Sequence, residues 1–448
     1  MGGGREDELA CTLGIRGRRI DVHHFKGEEY RMSMTRYLTG LTCSCLLLVF
    51  VGVSTSMSQV WWEETGTQYP YDLSRHRLLI LLGEDFDFQE TMIVKRHWES
   101  WGAKVDIAGI RKVLTGHLWR KTAEGWDRSQ QQTITCDILL ENVDLARYNA
   151  LFFPGGNSPT NLLKEDGSMV VKLIRQANQL GLVLAAICHG PRVLAAAGVV
   201  KGRMVTGHPE VEEELQRAGG SVPKRVFVVD ENLVTGNWPY FETMAIKVAE
   251  RLLYPEYLSA TQFIDARDPK IVAKTEELTG NCSTDVERVK SLFEFVRDGY
   301  NNASCSSFIA SEVMDCGGNL CRQRSILLAA LCRAAGIPAR LHLQKVTIRS
   351  WKRSDGTVAD ITFAHVITGI NVNGQWHLYE AVGNRDKWIN WTQDSSRASE
   401  MPIEFSGDRD CLFKPDAGIF IETLPQFFAD RAGEMVKLIE RTDGDVRY

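Results

Sequence analysis

Apolar positions along the chain fall into short solid runs that alternate with helical stripes. Residues 76–82, HRLLILL, form a run that reads as a buried strand. Residues 89–102, QETMIVKRHWESWG, follow with helical spacing and stop at Gly102. AKVDIAG (103–109) and YNALFFPGG (148–156) are two more strands. GSMVVKLIRQANQLG (167–181) predicts an amphipathic helix closed by Gly181. LVLAAI (182–187) is a fourth strand, and helices are expected over 191–198, 208–220 and 240–253. Strands alternating with helices predict an α/β sandwich on a mostly parallel sheet, over 75–255.

Past residue 261 the order changes. Helical spacing covers 268–280 and 283–300, and a strongly apolar helix covers 321–336, closed by Gly336. Strand-like runs follow at 337–348, 361–372 and 375–382, the last two joined by a VNGQ turn. Helices followed by hairpin strands predict a second, α+β domain over 262–440.

The N-terminus has its own pattern. Residues 1–36 are rich in glycine and charge and read as a disordered extension. Residues 37–53 are mostly apolar and uncharged, with Arg31 and Arg36 before them and small residues after. Residues 37–58 therefore read as an export signal peptide or a membrane anchor, the apolar core 37–53 being short of the ~20 residues a span needs. The expectation is an exported protein of the cell envelope, periplasm or extracellular space, with membrane attachment through this segment as the alternative to cleavage.

Composition narrows the partners. A net charge of −5 over 448 residues, with no basic stripe, speaks against nucleic acid. The eleven cysteines include no C-x-x-C pair, so no zinc site and no other metal is expected. Cys11, Cys43 and Cys45 precede the folded domains. If Cys188 and Cys321 are nucleophiles, the cysteines left over can form disulfides of unspecified pairing, which export would favour.

Two thiols stand out. Cys188 ends an apolar strand and is followed by His189, Gly190 and Pro191. That is the pattern of a nucleophile elbow, a sharp strand-to-helix turn whose helix N-terminus favours thiolate. Gly155 and Gly156 end the preceding strand and offer unhindered N–H groups for an oxyanion pocket. AAICHGPRVLAAAG, LFFPGGNSP, GEDFDFQETMIV and VTGHPEVEEELQRAGG together resemble the ThiJ/PfpI family of the class I glutamine amidotransferase-like superfamily. The resemblance implies a flavodoxin-like domain with Cys188 as nucleophile. It implies that a buried, protonated Glu90 lowers the thiol's pKa, that His189 is its partner and that His208 lines the pocket. It also implies a homodimer. The peptidase-like branch carries an acid where this chain has Thr160, which leaves His189 without its orienting carboxylate.

Cys321 opens the apolar helix of the second domain, and His365 and Glu380 lie on the strands beyond. A helix-start thiol, a histidine base and an acidic orienter in this order suit acyl transfer through a thioester. GGNLCRQRSILLAALCRAAGIPARLH and FAHVITGINVNGQWHLYEAV resemble the transglutaminase-like superfamily, with its papain-like, cysteine-protease-type core. By that resemblance Cys321 is the nucleophile, His365 the base, and Glu380 stands where an aspartate is usual. Cys316 and Cys332 read as structural, and Trp388, Trp391 and the polar segment 393–400 as packing and loop.

The expectation is a thiol-dependent hydrolase or acyltransferase for peptide or protein amides, needing no cofactor. A non-catalytic binding or scaffold protein of the envelope is one alternative. A deglycase-type repair activity in the first domain is another.

Overall fold

The computed structural model describes residues 71–122, 125–299, 305–318, 320–352, 356–381, 405–412 and 419–428. The N-terminal extension (1–36), the apolar segment 37–58, Trp388, Trp391 and residues 393–400 lie outside them. No helix among the described residues is long and apolar enough to cross a membrane.

The first domain contains β1 (Arg77–Leu82), β2 (Phe86–Asp87), α1 (Phe88–Ser100), β3 (Lys104–Gly109), β4 (Val113–Thr122), β5 (Gly125–Thr135) and β6 (Ile138–Leu139). It continues through β7 (Ala150–Phe153), α2 (Ser158–Gln179), β8 (Val183–Ile187), α3 (Pro191–Ala197), α4 (Pro209–Arg217), β9 (Phe227–Asp230), β10 (Leu233–Gly236) and α5 (Phe241–Leu253). The main sheet runs β6-β3-β1-β7-β8-β10-β9, parallel except for β9. Its strands are apolar on both sides because both faces are covered. Leu78, Ile80 and Leu82 pack with α1 and α5, while Leu79 and Leu81 pack with α2, α3 and α4. This is the expected α/β sandwich.

Two differences have physical causes. Helix α2 starts at Ser158 rather than near 167, because Pro159 suits a first turn and a kink at Asp166 joins two helical pieces. The β4–β5 hairpin, with β2, forms a separate three-stranded sheet. Its run DRSQQQT is polar throughout, so no apolar alternation marks it.

The second domain contains α6 (Pro269–Thr279), α7 (Asp285–Gly299), α8 (Ala310–Cys316), α9 (Cys321–Ala334), β11 (Ala339–Lys352), β12 (Val358–Val372), β13 (Gln375–Tyr379) and β14 (Ile419–Phe428). The antiparallel sheet runs β13-β12-β11-β14. Helix α9 is enclosed by the other helices and by this sheet, and Ile326 through Cys332 are fully buried. That enclosure explains why residues 326–332 are apolar on every face.

Polar groups join the domains. Lys247 of α5, almost fully buried, donates to Glu250 (2.9 Å), to Asp285 of α7 (2.6 Å) and to the Gly336 carbonyl (2.9 Å). Arg225 donates to the Ala334 carbonyl at the end of α9 (2.6 Å). Arg340 lies over Trp376, whose ring also meets Tyr254 and Tyr257 edge-on. Removing one partner of the Lys247 cluster would strand a buried charge, at a cost of about 3–5 kcal/mol.

Candidate functional sites

Cys188 follows the last residue of β8 with φ of 58°, the left-handed turn of an elbow. Strands β7, β8 and β10 end together here, as ligand sites of open α/β sheets do. The turn is closed by Gly190, where a Cβ would lie 2.1 Å from the Phe153 carbonyl. Cys188 is only 6% exposed. Its Sγ lies 3.2 Å from Nδ1 of His189.

Glu90 comes from the first turn of α1 and is fully buried against this thiol. Burial, with Asp87 nearby, holds its carboxyl well above the usual range. The Gly155 N–H donates to its Oε2. A Cβ at Gly155 would meet Cys188 Cβ at 2.7 Å and Glu90 Oε2 at 2.8 Å, so only glycine fits between them. This corrects the oxyanion expectation for Gly155: its N–H is committed to Glu90. Gly156 sits at φ 65° against the backbone of Asp85 and Asp87.

The thiol is not activated as the sequence suggested. Burial, first, pushes the Cys188 pKa up, and ionisation of the neighbouring Glu90 or Asp87 would push the same way, while the His189 backbone opposes it. His189 is held below its ordinary value, first by burial, with His208 adding to it against Glu210. The resting pair is a neutral thiol beside a neutral imidazole.

His189 does have an orienting carboxylate. Its Nε2 lies 3.1 Å from Oε2 of Glu210, in the first turn of α4. Thr160 is engaged elsewhere, accepting from Arg192 at 2.6 Å. His208 caps α4, its Nδ1 accepting from the Glu210 N–H, and stacks on His189 at 4.5 Å. Its own N–H donates to the Cys188 carbonyl. Sequence reasoning missed Glu210, although the HPEVEEE run places acids at that helix start. Donor atoms of His189, His208 and Glu210 lie within 4.8 Å of one another, a spacing that suits a divalent ion. Holding one would cost the contact between His189 and Glu210.

The second site gathers its three expected residues. Cys321 opens α9 and is partly exposed. His365 lies on β12 and Glu380 just past β13, both buried. Pairing of Thr368 with Tyr379 sets the register that brings them together. His365 Nε2 meets Glu380 Oε1 at 2.7 Å, and the ring and the Cys321 sulfur act on each other's charge. Burial opposes charge on Cys321, but His365, the Val366 backbone and Arg322 outweigh it and hold the thiol below its ordinary value. Burial likewise opposes imidazolium, yet Glu380 and Cys321 hold His365 well above its usual range. Both directions favour the thiolate–imidazolium form of the pair.

This helix start is braced. Gln323, fully buried, accepts from the Leu320 N–H (3.1 Å) and donates to the carbonyls of Cys305 (2.8 Å) and Ser307 (2.9 Å). Cys305 is disulfide-bonded to Cys316 at the end of α8. Ser325 donates to the Val366 carbonyl at 2.9 Å, stitching α9 to the strand of His365. Cys332 is buried in the core of α9.

The DJ-1/PfpI family model matches residues 76–251, and the transglutaminase-like superfamily model matches residues 272–390. A deglycase of Pyrococcus abyssi is 28% identical over 164 residues, covering 36% of this chain and 90% of that protein. An uncharacterized protein of Archaeoglobus fulgidus is 35% identical over 179 residues, covering 39% of this chain and 99% of that protein. Protein DJ-1 homolog D of Arabidopsis thaliana is 35% identical over 173 residues, covering 35% of this chain and 42% of that protein. The solved structure of a ThiJ/PfpI domain protein from Brachyspira murdochii is 22% identical, covering 39% of this chain and 95% of that chain, with a TM-score of 0.33.

Proposed function

From the premise that this chain joins a DJ-1/PfpI family domain to a transglutaminase-like domain, we propose that it is a thiol enzyme acting on peptide or protein amides, with Cys321 as nucleophile. The observation that carries this reading is the array of Cys321, His365 and Glu380, with its thiol held low and its imidazole held high.

The thiolate attacks an amide carbonyl and forms a tetrahedral adduct. Its collapse expels the amine, which takes its proton from the His365 imidazolium, and leaves a thioester on Cys321. His365, now neutral, deprotonates the incoming water or amine that resolves the thioester. Glu380 keeps the ring oriented and stabilises its charged form. The helix start at Cys321 favours the thiolate, and Gln323 fixes that helix start. The Cys305–Cys316 disulfide supports export to an oxidising compartment.

The test is acyl-enzyme trapping. Incubation with glutamine-containing peptides and a labelled primary amine, followed by mass spectrometry, should find the acyl group on Cys321 and its transfer to amine or water. Absence of any acyl adduct in wild type, across peptide pools, counts against the reading.

The first domain supports a second thiol reaction. Its relative in Pyrococcus abyssi is named a deglycase. The neutral Cys188 thiol, with His189 oriented by Glu210 to take its proton, fits attack on a reactive carbonyl adduct. Lactate release from methylglyoxal-treated peptide, lost in Cys188→Ala, tests it.

A further inference from the structure

Beside the second thiol stands a cation that the fold leaves unpaired. Arg322 follows Cys321 in the first turn of α9 and is partly exposed. Its guanidinium carbon lies 4.9 Å from the centre of the Phe308 ring, so the group is seated over an aromatic face. Its Nε is enclosed and out of reach of any ligand. Its two Nη atoms are not enclosed, and no acceptor meets them among the described residues. The acids of the neighbouring elements are engaged elsewhere. Glu312 of α8 accepts from Ser307 (2.6 Å), Asp315 pairs with Lys270, Asp298 pairs with Arg297 (2.8 Å), and Glu380 pairs with His365.

Local stability does not explain a cation at this position. The first turn of α9 carries no acid, and a positive side chain at a helix start works against the macrodipole. Arg324, almost fully buried, adds a second cation to the same turn. Both arginines act on the Cys321 sulfur together with His365. Three positive groups therefore bear on one thiol, and Arg322 keeps two unengaged nitrogens.

We propose that Arg322 is a specificity-determining residue of the Cys321 site, receiving a substrate carboxylate on its two Nη atoms, so that the amides attacked are those flanked by an acidic residue. This rests on the reading of Cys321 as an amide-directed nucleophile and names its substrate class. A guanidinium offers a carboxylate two parallel N–H donors, and its seat on Phe308 reduces the freedom lost when they meet.

Two assays on the full chain test it. The first needs no turnover. Iodoacetate and iodoacetamide attack the same thiolate and differ by a carboxylate, so the ratio of their rates at Cys321 does not depend on the thiolate fraction. Read by peptide mass spectrometry, that ratio falls severalfold in Arg322→Gln and is partly restored in Arg322→Lys, which keeps the charge without the fork. It also falls with added salt. The second assay uses peptide pairs with Glu or Gln, and Asp or Asn, next to the reacting residue. Acylation of Cys321 favours the acidic member about tenfold in kcat/KM, through KM, the scale of one charge-assisted hydrogen bond. Arg322→Gln loses that preference. An unchanged reagent ratio in Arg322→Gln, or acylation of Cys321 with no preference for acidic peptides, would overturn the proposal. A reagent ratio that falls while no peptide is acylated would uphold Arg322 as the carboxylate receptor and overturn the amide reading instead.

Discussion

The two thiols stand at similar junctions and meet opposite surroundings. Cys188 and Cys321 each precede or open a helix, and each lies beside a histidine with a carboxylate behind it. At Cys188 burial drives the thiol up, with Glu90 and Asp87 behind it in effect, and burial drives His189 down. At Cys321 the carboxylate of Glu380 lies on the far side of the imidazole, the thiol is held down, and His365 is held up. The lesson is one of balance. Burial opposes charge at both thiols, and only at Cys321 do the imidazole, the Val366 backbone and Arg322 outweigh it.

This contrast sets the predictions, and the largest effects belong to Cys321. Cys321→Ala should remove amide chemistry altogether, whereas Cys188→Ala should leave it within about twofold, since the sites share no group. His365→Ala should lower kcat/KM for amide substrate by about 10²–10⁴-fold, the range for a lost general acid–base. The pH profile should be broad. Rate rises through the depressed pKa of Cys321 and falls only through the elevated pKa of His365, so the two shifts widen the window of the thiolate–imidazolium pair at both ends. A narrow profile centred on an ordinary thiol pKa of ~8.5 would erase the contrast.

Next comes the brace on the helix start. Gln323→Ala, or reduction of the Cys305–Cys316 disulfide, should slow alkylation of Cys321 about three- to tenfold and leave Cys188 unchanged, the loss of a capping contact being worth about 0.5–2 kcal/mol. Equal slowing of both thiols would mark global loosening instead.

The smallest effect concerns stability at the first site. Glu90 has a raised pKa in the folded chain, so its favourable contribution is complete below the unfolded value and is lost as pH rises through the folded value. Glu90→Gln keeps an acceptor for the Gly155 N–H and cannot ionise. It should match wild type in Tm near pH 4 and exceed it by roughly 2–6 °C near pH 8. Thermal melts at the two pH values check it.

Much of this was legible in the sequence for local reasons. The alternation of apolar runs gave both domain classes. The order of Cys321, His365 and Glu380 survives folding because a tight hairpin joins β12 and β13. What was illegible depended on depth or distance. Glu210 is 21 residues from His189 and meets it only because α4 begins beside the elbow. The rise of the Cys188 pKa depends on burial, which an apolar flank suggests but does not measure. Lys247 reads as a surface residue until the second domain closes over it. The β4–β5 hairpin carries no apolar alternation to read.

The central claim is that Cys321 is a primed thiolate and Cys188 is not. The direct test is the rate of iodoacetamide alkylation at each cysteine against pH, read by peptide mass spectrometry in wild type, Cys188→Ala and Cys321→Ala. Cys321 should titrate below the ~8.5 of an ordinary thiol, and Cys188 above it. A Cys321 that titrates at or above the ordinary value, or a Cys188 that reacts as a low-pKa thiolate, would contradict the account.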